Sequence, residues 1–386
     1  MTNTRSMLLY VMPMYLASYS NSPLRIATAS VALCALSKVP GRRSITSEAC
    51  VYYGRAMRAV SEAIRDPAQA TSDDTLMAVL ILGMYESMSA SNKTMAAWSH
   101  HTKGATAIVR SRGLGLLRNE QGLSLFRAVR TQMLIECFRK DMAPECFPAE
   151  RGWLSDLFDE ENQVYERQAR EVIELSQLVA KKRCLVGRRR SSETTAAMQD
   201  LLSKAYECDQ GMKKWRSRLP DHWHPRTIAY VNTIPDDINI PSACAWIGPV
   251  HVYRDLHIAS MTNKHRGCRA MCAQLVMEIL TWLLPDMYHL DHRYLQARHV
   301  EQEMTDEMCA SIPYHFGLWA EKPGNDGPVG EWNPTEFIGG FSLIWPVRAV
   351  ADSDTLPEKQ RKWLHGRLAM IANHYGLEQA VALDGM

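Results

Sequence analysis

The sequence predicts an all-α fold, a large multi-helix array of roughly a dozen helices with no significant sheet. Three observations lead to this prediction. Apolar residues recur at helical spacing along most of the chain. Prolines, glycines and helix-capping side chains separate these apolar segments. No stretch alternates apolar and polar residues well enough to predict a strand. With 386 residues, 46% of them hydrophobic, the chain can bury a sizeable core.

Each predicted helix is bounded by residues that start or stop one. The short apolar segment Met7–Ala17 precedes Pro23, which begins the next helix, and Pro40-Gly41 ends that helix. Asp66-Pro67 ends another. The predicted helices cover residues 23–39, 47–64, 73–87, 95–110, 122–138, 154–179, 194–215, 244–263, 267–284, 298–311, 337–351 and 357–375. Residues 221–241 are rich in turn formers and are predicted to be a loop.

The helix predicted over residues 73–87 is almost continuously apolar, which is typical of a helix buried in the middle of a larger bundle. Ser72 or Asp73 can cap its first turn, because a short oxygen side chain accepts hydrogen bonds from the unpaired N–H groups there. In the next helix Trp98 and His101 share one face. We interpret them as a packed aromatic ring and a hydrogen-bonded core histidine. Gly113 predicts the end of that helix.

Four motifs occur in order along the chain. They are Trp98-Ser-His-His101-Thr-Lys-Gly104-Ala105 with Arg112-Gly113, Val250–Leu256 with Asn263–Arg266, Ala310–Gly317, and Gly339–Val347. Together they resemble the regulatory domain of fungal zinc-binuclear-cluster transcription factors. The resemblance implies one helical regulatory domain over residues 1–386, in which Asn263–Arg266 forms a turn. The motifs share glycine, proline and aromatic residues at helix junctions. The motifs therefore specify a fold rather than a reaction.

Members of that family carry six closely spaced cysteines and a basic linker before this domain. The ten cysteines of this chain include no C-x-x-C pair, and the sequence begins at Met1 with no such cluster. We therefore expect a regulatory domain without its zinc-cluster DNA-binding domain, or a gene model from which an upstream exon is missing. A further expectation is an organisation in two halves, 1–190 and 191–386, joined by a basic loop at 181–190.

The chain is nearly neutral, since 44 Lys and Arg residues stand against 42 Asp and Glu residues, for a formal charge of +2. Specific DNA binding needs clustered cations that contact phosphates, so we expect no direct sequence-specific DNA binding. The basic segment, residues 181–190, is the local exception. Its six cations are Lys181, Lys182, Arg183, Arg188, Arg189 and Arg190. Such a run predicts a nuclear import signal, a solvated loop or a DNA-contacting patch.

The sequence also bears on the cellular compartment. No stretch reaches the ~18–20 apolar residues that a membrane-spanning helix needs, so we expect no membrane association. The irregular spacing of the cysteines fits a reduced compartment. We expect the protein in the nucleus, the cytoplasm or both, and not secreted.

Two function hypotheses follow, and we favour the first. It is a transcription regulator of fungal, in particular secondary, metabolism that binds a protein partner, such as another transcription factor, or a small-molecule effector. The second is a cofactor-independent enzyme or binding protein, of cyclisation or isomerisation type, that uses a pocket between helices for a secondary-metabolite intermediate. Its candidate catalytic residues are His101, His251, Tyr253 and His315, and its candidate pocket residues are Trp98, Trp246, Trp282, Trp319 and Trp345.

Signatures of the common cofactor and metal sites are missing from the sequence. Phosphate-loop, dinucleotide, zincin and hydrolase motifs do not occur. Cys268 and Cys272 are one helical turn apart, with His265 nearby, but no second pair accompanies them as a structural zinc site requires. We therefore expect no cofactor and no metal.

Overall fold

The computed structural model describes residues 7–38, 41–89, 95–148, 152–155, 160–235, 238–318 and 334–382. Within these ranges the chain forms twelve α-helices and one two-stranded sheet, so the all-α prediction is confirmed. The helices are α1 Leu8–Ala17, α2 Pro23–Ser37, α3 Thr46–Arg65, α4 Asp73–Met88, α5 Ala96–Arg112, α6 Glu120–Lys140, α7 Glu160–Val186, α8 Ser192–Ser217, α9 Leu256–Leu283, α10 His292–His315, α11 Pro334–Ala351 and α12 Glu358–Tyr375. None of these helices is long and apolar enough to cross a membrane.

The described residues group into two compact units. The first lies within Met1–Lys140, Glu145–Asp156 and Ile371–Met386 and contains α1 to α6. The second lies within Asp141–Pro144 and Leu157–Met370 and contains α7 to α11 and most of α12. The single domain over residues 1–386 and the halves 1–190 and 191–386 stay predictions.

In the first unit α4 is the central helix, packed by α2, α3 and α5. Thirteen of its sixteen residues are buried, as its continuous apolar sequence predicts. Ser72 caps it by accepting a hydrogen bond from the N–H of Thr75 at 3.1 Å. Gly113, with φ +60°, follows the last residue of α5. The predicted start of α4 and the predicted end of α5 are thus confirmed.

In the second unit the long helix α9 packs against α8, α10 and α11. The prediction of two helices, over 244–263 and 267–284, with a turn at Asn263–Arg266, is wrong because α9 runs unbroken through these residues. Gly267 does not stop a helix. A Cβ at Gly267 would lie 3.2 Å from the Cα of Pro346, so the glycine lets α9 and α11 approach closely.

A small sheet precedes α9. Strand β1, Arg226–Val231, pairs antiparallel with strand β2, Gly248–Val252. The prediction of a loop over 221–241 and of helix from residue 244 is wrong in this region. Gly248 has φ +127° and Pro249 follows it, and neither suits a helix interior. Helix α9 begins only after Asp255, which caps it by accepting a hydrogen bond from the N–H of Ile258 at 2.9 Å.

Helix α7 extends further than the sequence predicts, to Val186 instead of residue 179. Its apolar face continues to Leu185, which is buried, and this burial stabilises the extra turns. Lys181, Lys182 and Arg183 therefore lie on α7. Only the second half of the basic segment lies in the connection to α8, so the prediction of a basic loop over the whole of 181–190 is wrong.

Candidate functional site

The W-x-x-H-x-x-G motif lies on α5, on the side that faces α4 in the first unit. Trp98 is 5% exposed and packs with Ile135 of α6 and Ala382. Both Trp98 and His101 lie against α4 at Gly83, where an added Cβ would be 3.8 Å from Trp98 Cδ1 and 3.6 Å from His101 Cβ. Trp98 is therefore a core residue that fills the space beside α4.

Replacing Trp98 by alanine should lower the free energy of unfolding by ~3–5 kcal/mol, because the cavity left between packed helices cannot close fully. Urea denaturation followed by circular dichroism measures this change. Trp98→Phe serves as the control and should cost less, since it keeps an aromatic ring in the space. A folded Trp98→Ala variant of wild-type stability would contradict the core assignment and indicate a pocket wall.

His101 on the same helix takes part in a partly buried aromatic cluster. Its Nε2 lies 3.1 Å from the hydroxyl of Tyr53, whose ring stacks on Tyr85 with centroids 4.4 Å apart. Burial lowers the pKa of His101 to about 4, with a smaller contribution from His100. Burial and a hydrogen bond with Glu86 raise the pKa of Tyr53. A general acid or base works best with a pKa near the working pH, and both shifts move these groups away from neutral pH. The contact between His101 and Tyr53 therefore suits a structural hydrogen bond.

The second unit contains a buried charged network centred on Arg266, which is 1% exposed. Its guanidinium donates to Glu307 Oε2 at 3.1 Å, to the Tyr253 hydroxyl at 2.8 Å and to Asn263 Oδ1 at 2.8 Å. Arg216 donates to the other oxygen of Glu307 at 2.7 Å. Burial favours the neutral form of Glu307, but the hydrogen bonds from Arg216 and Arg266 outweigh it and lower the pKa of Glu307. A charged carboxylate is thus held between two guanidinium groups.

His315 extends this network towards α11. Its Nε2 lies 3.0 Å from Asn263 Nδ2, and its Nδ1 lies 3.2 Å from Ser342 Oγ. Ser311 donates to Asn263 Oδ1 at 2.9 Å. Burial lowers the pKa of His315 to about 3, so its ring is neutral. The motifs around residues 263–266, 310–317 and 339–347 therefore meet in one polar network inside the second unit.

The four candidate catalytic residues divide between the two units. Tyr253, His251 and His315 lie around Arg266, whereas His101 lies in the first unit. Burial, and secondly the charge of Arg266, lower the pKa of His251. Its Nδ1 has no hydrogen-bond partner among the described residues. Two cavities of the described chain, one beside Trp215 and one beside Tyr206, are lined by other side chains.

Stability should fall when the protein is acidified from neutral pH. His101 and His315 have folded-state pKa values of about 4 and about 3, and an unfolded histidine has a pKa of about 6.5. The stability that these neutral rings provide is complete above the unfolded-state pKa. It is lost as the pH falls towards the folded-state values, by up to about 1.4 kcal/mol per pH unit for each ring.

Urea denaturation at a series of pH values between neutral and about pH 5 measures this slope. A His315→Gln variant is the matched comparison, because glutamine keeps hydrogen-bonding capacity but cannot take up the proton. Its stability should depend less on pH than that of the wild type. An unchanged free energy of unfolding over this range would contradict burial of the neutral rings.

The candidate pocket tryptophans are distributed over separate packing sites. The described ones are Trp98, Trp246, Trp282 and Trp345, and Trp319 lies outside the described residues. Trp246 packs against Trp363, with ring centroids 5.7 Å apart. Trp282 lies beneath the guanidinium of Arg190, whose carbon is 4.5 Å from the ring centroid. None of these four tryptophans lines either the cavity beside Trp215 or the cavity beside Tyr206.

The basic segment is partly neutralised by local partners. Lys181 pairs with Asp200 at 3.0 Å, and Lys182 pairs with Glu278 at 2.6 Å. Arg188 and Arg189 are exposed in the connection after α7, and within the described ranges neither forms an ion pair. The cations that are available to another molecule therefore lie in the second half of the basic segment.

One group of side chains in the described chain has the spacing of metal ligands: Glu171, Glu174 and Cys208, whose ligand atoms lie within 4.8 Å of one another. Burial raises the pKa of both carboxyl groups, and a hydrogen bond with Cys272 followed by burial raises that of Cys208. Metal ligands must be deprotonated, so these shifts disfavour metal binding. Burial likewise raises the pKa of Cys268, to about 12. That the protein binds no metal remains a prediction.

Comparison with known proteins agrees with the motifs. Residues 9–139 match the family model described as the fungal specific transcription factor domain, which includes α2 to α5 and almost all of α6. The chain is similar to the transcription factor dbaG of Emericella nidulans, with 23% identity over 368 residues, which is 94% of this chain and 81% of that protein. No solved structure matches. The predicted resemblance to the regulatory domain of fungal transcription factors is therefore confirmed.

Proposed function

We propose that this protein is a transcription regulator of fungal secondary metabolism, which acts through its helical domain by binding a protein partner or a small effector and not by contacting DNA itself. The match of residues 9–139 to a transcription factor domain supports a regulatory role. The similarity to a named transcription factor extends over almost the whole chain, beyond the matched domain. The assignment to secondary metabolism rests on the resemblance of the four motifs to the regulatory domain of fungal transcription factors.

The observation that carries this proposal is the burial and hydrogen bonding of the motif side chains. Trp98, Arg266 and His315 are all buried, and the polar ones are engaged with neighbours in hydrogen bonds. An acid–base catalyst needs a pKa near the working pH and contact with the substrate. The pKa of His315 is about 3, and its ring lies in a packed network. These properties favour a binding module over an enzyme.

A tethering assay tests the regulatory role without a native promoter. The full chain is fused to a heterologous DNA-binding domain, and transcription of a reporter carrying that domain's site is measured in a filamentous fungus. We expect the fusion to change reporter output several-fold relative to the DNA-binding domain alone. The Gly54→Ala variant is a matched control that should retain this effect, because an added Cβ at Gly54 in α3 meets open space. Reporter output equal to that of the tether alone would contradict the proposal.

Nuclear import is expected to depend on the second half of the basic segment. Changing Arg188, Arg189 and Arg190 together to glutamine should move a fluorescent fusion from the nucleus to the cytoplasm. Arg188 and Arg189 are exposed, and their replacement should change stability by no more than ~0.5 kcal/mol. Arg190 also stacks on Trp282, and loss of that contact should cost roughly 0.5–1 kcal/mol, too little to unfold the protein. The matched control is Lys181→Gln with Lys182→Gln, whose cations are already paired. Unchanged localisation of the triple variant would contradict the import-signal prediction and favour the interpretation of these residues as a solvated loop.

A further inference from the structure

A cavity of about 210 Å³ opens between α8, α9 and α10 in the second unit. Its wall combines apolar side chains, among them Val276 and Val300, with the polar groups of Tyr206, Lys213 and Arg293. Ligand sites in proteins are generally apolar concavities with a few placed polar groups. This cavity has that composition, and none of the candidate catalytic or tryptophan residues lines it.

The hydroxyl of Tyr206 is the first sign of a missing ligand. It is shielded from solvent, and it has no hydrogen-bond partner among the described residues. Buried polar atoms are nearly always satisfied, so such a hydroxyl needs a partner that the chain does not provide. Burial raises the pKa of Tyr206, and the group therefore remains a protonated donor at neutral pH. An acceptor atom of a ligand would satisfy it once the Tyr206 side chain turns its hydroxyl towards the cavity that it lines.

The charges at the wall give the second sign. Lys213 on α8 pairs with Asp209 at 2.9 Å, and Asp209 also accepts a hydrogen bond from Arg269 of α9 at 2.8 Å. Arg293 pairs with Asp291 at 2.7 Å. The cavity wall itself carries two cations, Lys213 and Arg293, and one carboxylate, Asp209. Arg269 and Asp291, which pair with wall residues from outside the lining, add one further charge of each sign, so one positive charge remains in excess. An anionic ligand group is favoured over a neutral or cationic one at such a wall.

We propose that this cavity is a binding site for a small organic acid with an apolar body. The acid's carboxylate contacts Arg293 and Lys213 and accepts the hydrogen bond of Tyr206, while its apolar body packs on Val276 and Val300. This inference rests on the proposed function, because the bound acid is then the small effector of the regulator. By contacting α8 and α10 at once, a bound acid joins two helices of the second unit.

Isothermal titration of the full chain tests this site with four probes: benzoate, phenylacetate, cinnamate and hexanoate. At least one acid should bind saturably with a dissociation constant of about 1 mM or tighter, as expected for ligands of this size. Its uncharged amide should bind at least about tenfold more weakly, because the amide lacks the charge that Arg293 recognises. Circular dichroism confirms that each variant is folded.

Three variants separate the site from the rest of the molecule. Arg293→Met should weaken binding of the acid about tenfold or more, and Tyr206→Phe should weaken it several-fold without loss of stability, since the hydroxyl has no partner to lose. Arg298→Met is the matched control, because it removes an exposed cation of the same helix outside the cavity wall, and it should bind like the wild type.

Two results would overturn the proposal: no saturable binding of any of the four acids to the folded wild type, or equal loss of binding in Arg293→Met and Arg298→Met. Equal affinity for acid and amide would overturn the assignment of an anionic ligand. The proposed function fails by a different measurement. If the acids bind but the tethered chain leaves the reporter unchanged, the binding site stands and the regulatory role does not.

Discussion

Replacing Arg266 by methionine should lower the free energy of unfolding by about 3–5 kcal/mol, because removing one member of a buried ionic network leaves the others uncompensated. Glu307 would keep only Arg216 as a charged partner, and the Tyr253 hydroxyl and Asn263 Oδ1 would each lose a hydrogen bond from the guanidinium. Methionine has a similar length and fits an apolar space, so the loss measures the network more than the packing.

Urea denaturation of Arg266→Met provides the measurement. Arg254→Met is the control, because Arg254 is exposed and its replacement should change stability by no more than ~0.5 kcal/mol. Combining Arg266→Met with Glu307→Gln should cost less than the sum of the single changes, since each already breaks the same pair. Strict additivity, or a loss in Arg266→Met no larger than in Arg254→Met, would contradict the structural role of this network.

Replacing Gly339 by alanine should destabilise the second unit by about 3 kcal/mol or more, because overpacking against backbone cannot be relieved by a rotamer change. A Cβ at this position would lie 2.1 Å from the carbonyl oxygen of His315, so α10 and α11 must move apart. His315 also hydrogen-bonds to Asn263 and Ser342, and the displacement would disturb those contacts. The glycine of this motif is thus required for close helix approach.

Thermal and urea denaturation measure this effect, with Gly54→Ala as the control. Gly54 lies within α3, and an added Cβ there meets no atom within 4 Å. Because alanine is the better helix former, Gly54→Ala should stabilise the protein by roughly 0.5–1 kcal/mol. Equal behaviour of Gly339→Ala and Gly54→Ala would show that α10 and α11 do not approach as described.

The sequence predicts those features that depend on local pattern. The continuous apolar run of α4 predicts its burial, Ser72 predicts its start, and Gly113 predicts the end of α5. The four motifs, in their order along the chain, predict the resemblance to the fungal transcription factor domain, which the comparison of residues 9–139 confirms. The first three features are readable because each depends on residues that are close together along the chain, and each of the four motifs is itself a short local pattern.

The features that the sequence does not predict depend on distant contacts. Asn263 and Arg266 are predicted to form a turn, although their spacing of three also places them on one face of a helix. Only the presence of Glu307, Ser311 and Tyr253 makes burial of these polar groups inside α9 favourable. The β1 strand is missed because its partner, β2, begins seventeen residues after β1 ends, counting from Val231 to Gly248.

Transcript profiling after deletion of the gene in the organism that carries it tests the regulatory account most directly. We expect a defined set of transcripts to change several-fold, and expression of the wild-type chain from another locus should restore them. Extracts of the same cultures should show products falling together with those transcripts. Unchanged transcripts accompanied by accumulation of a single intermediate, which the purified chain then converts, would contradict the regulatory account and establish the enzyme hypothesis instead.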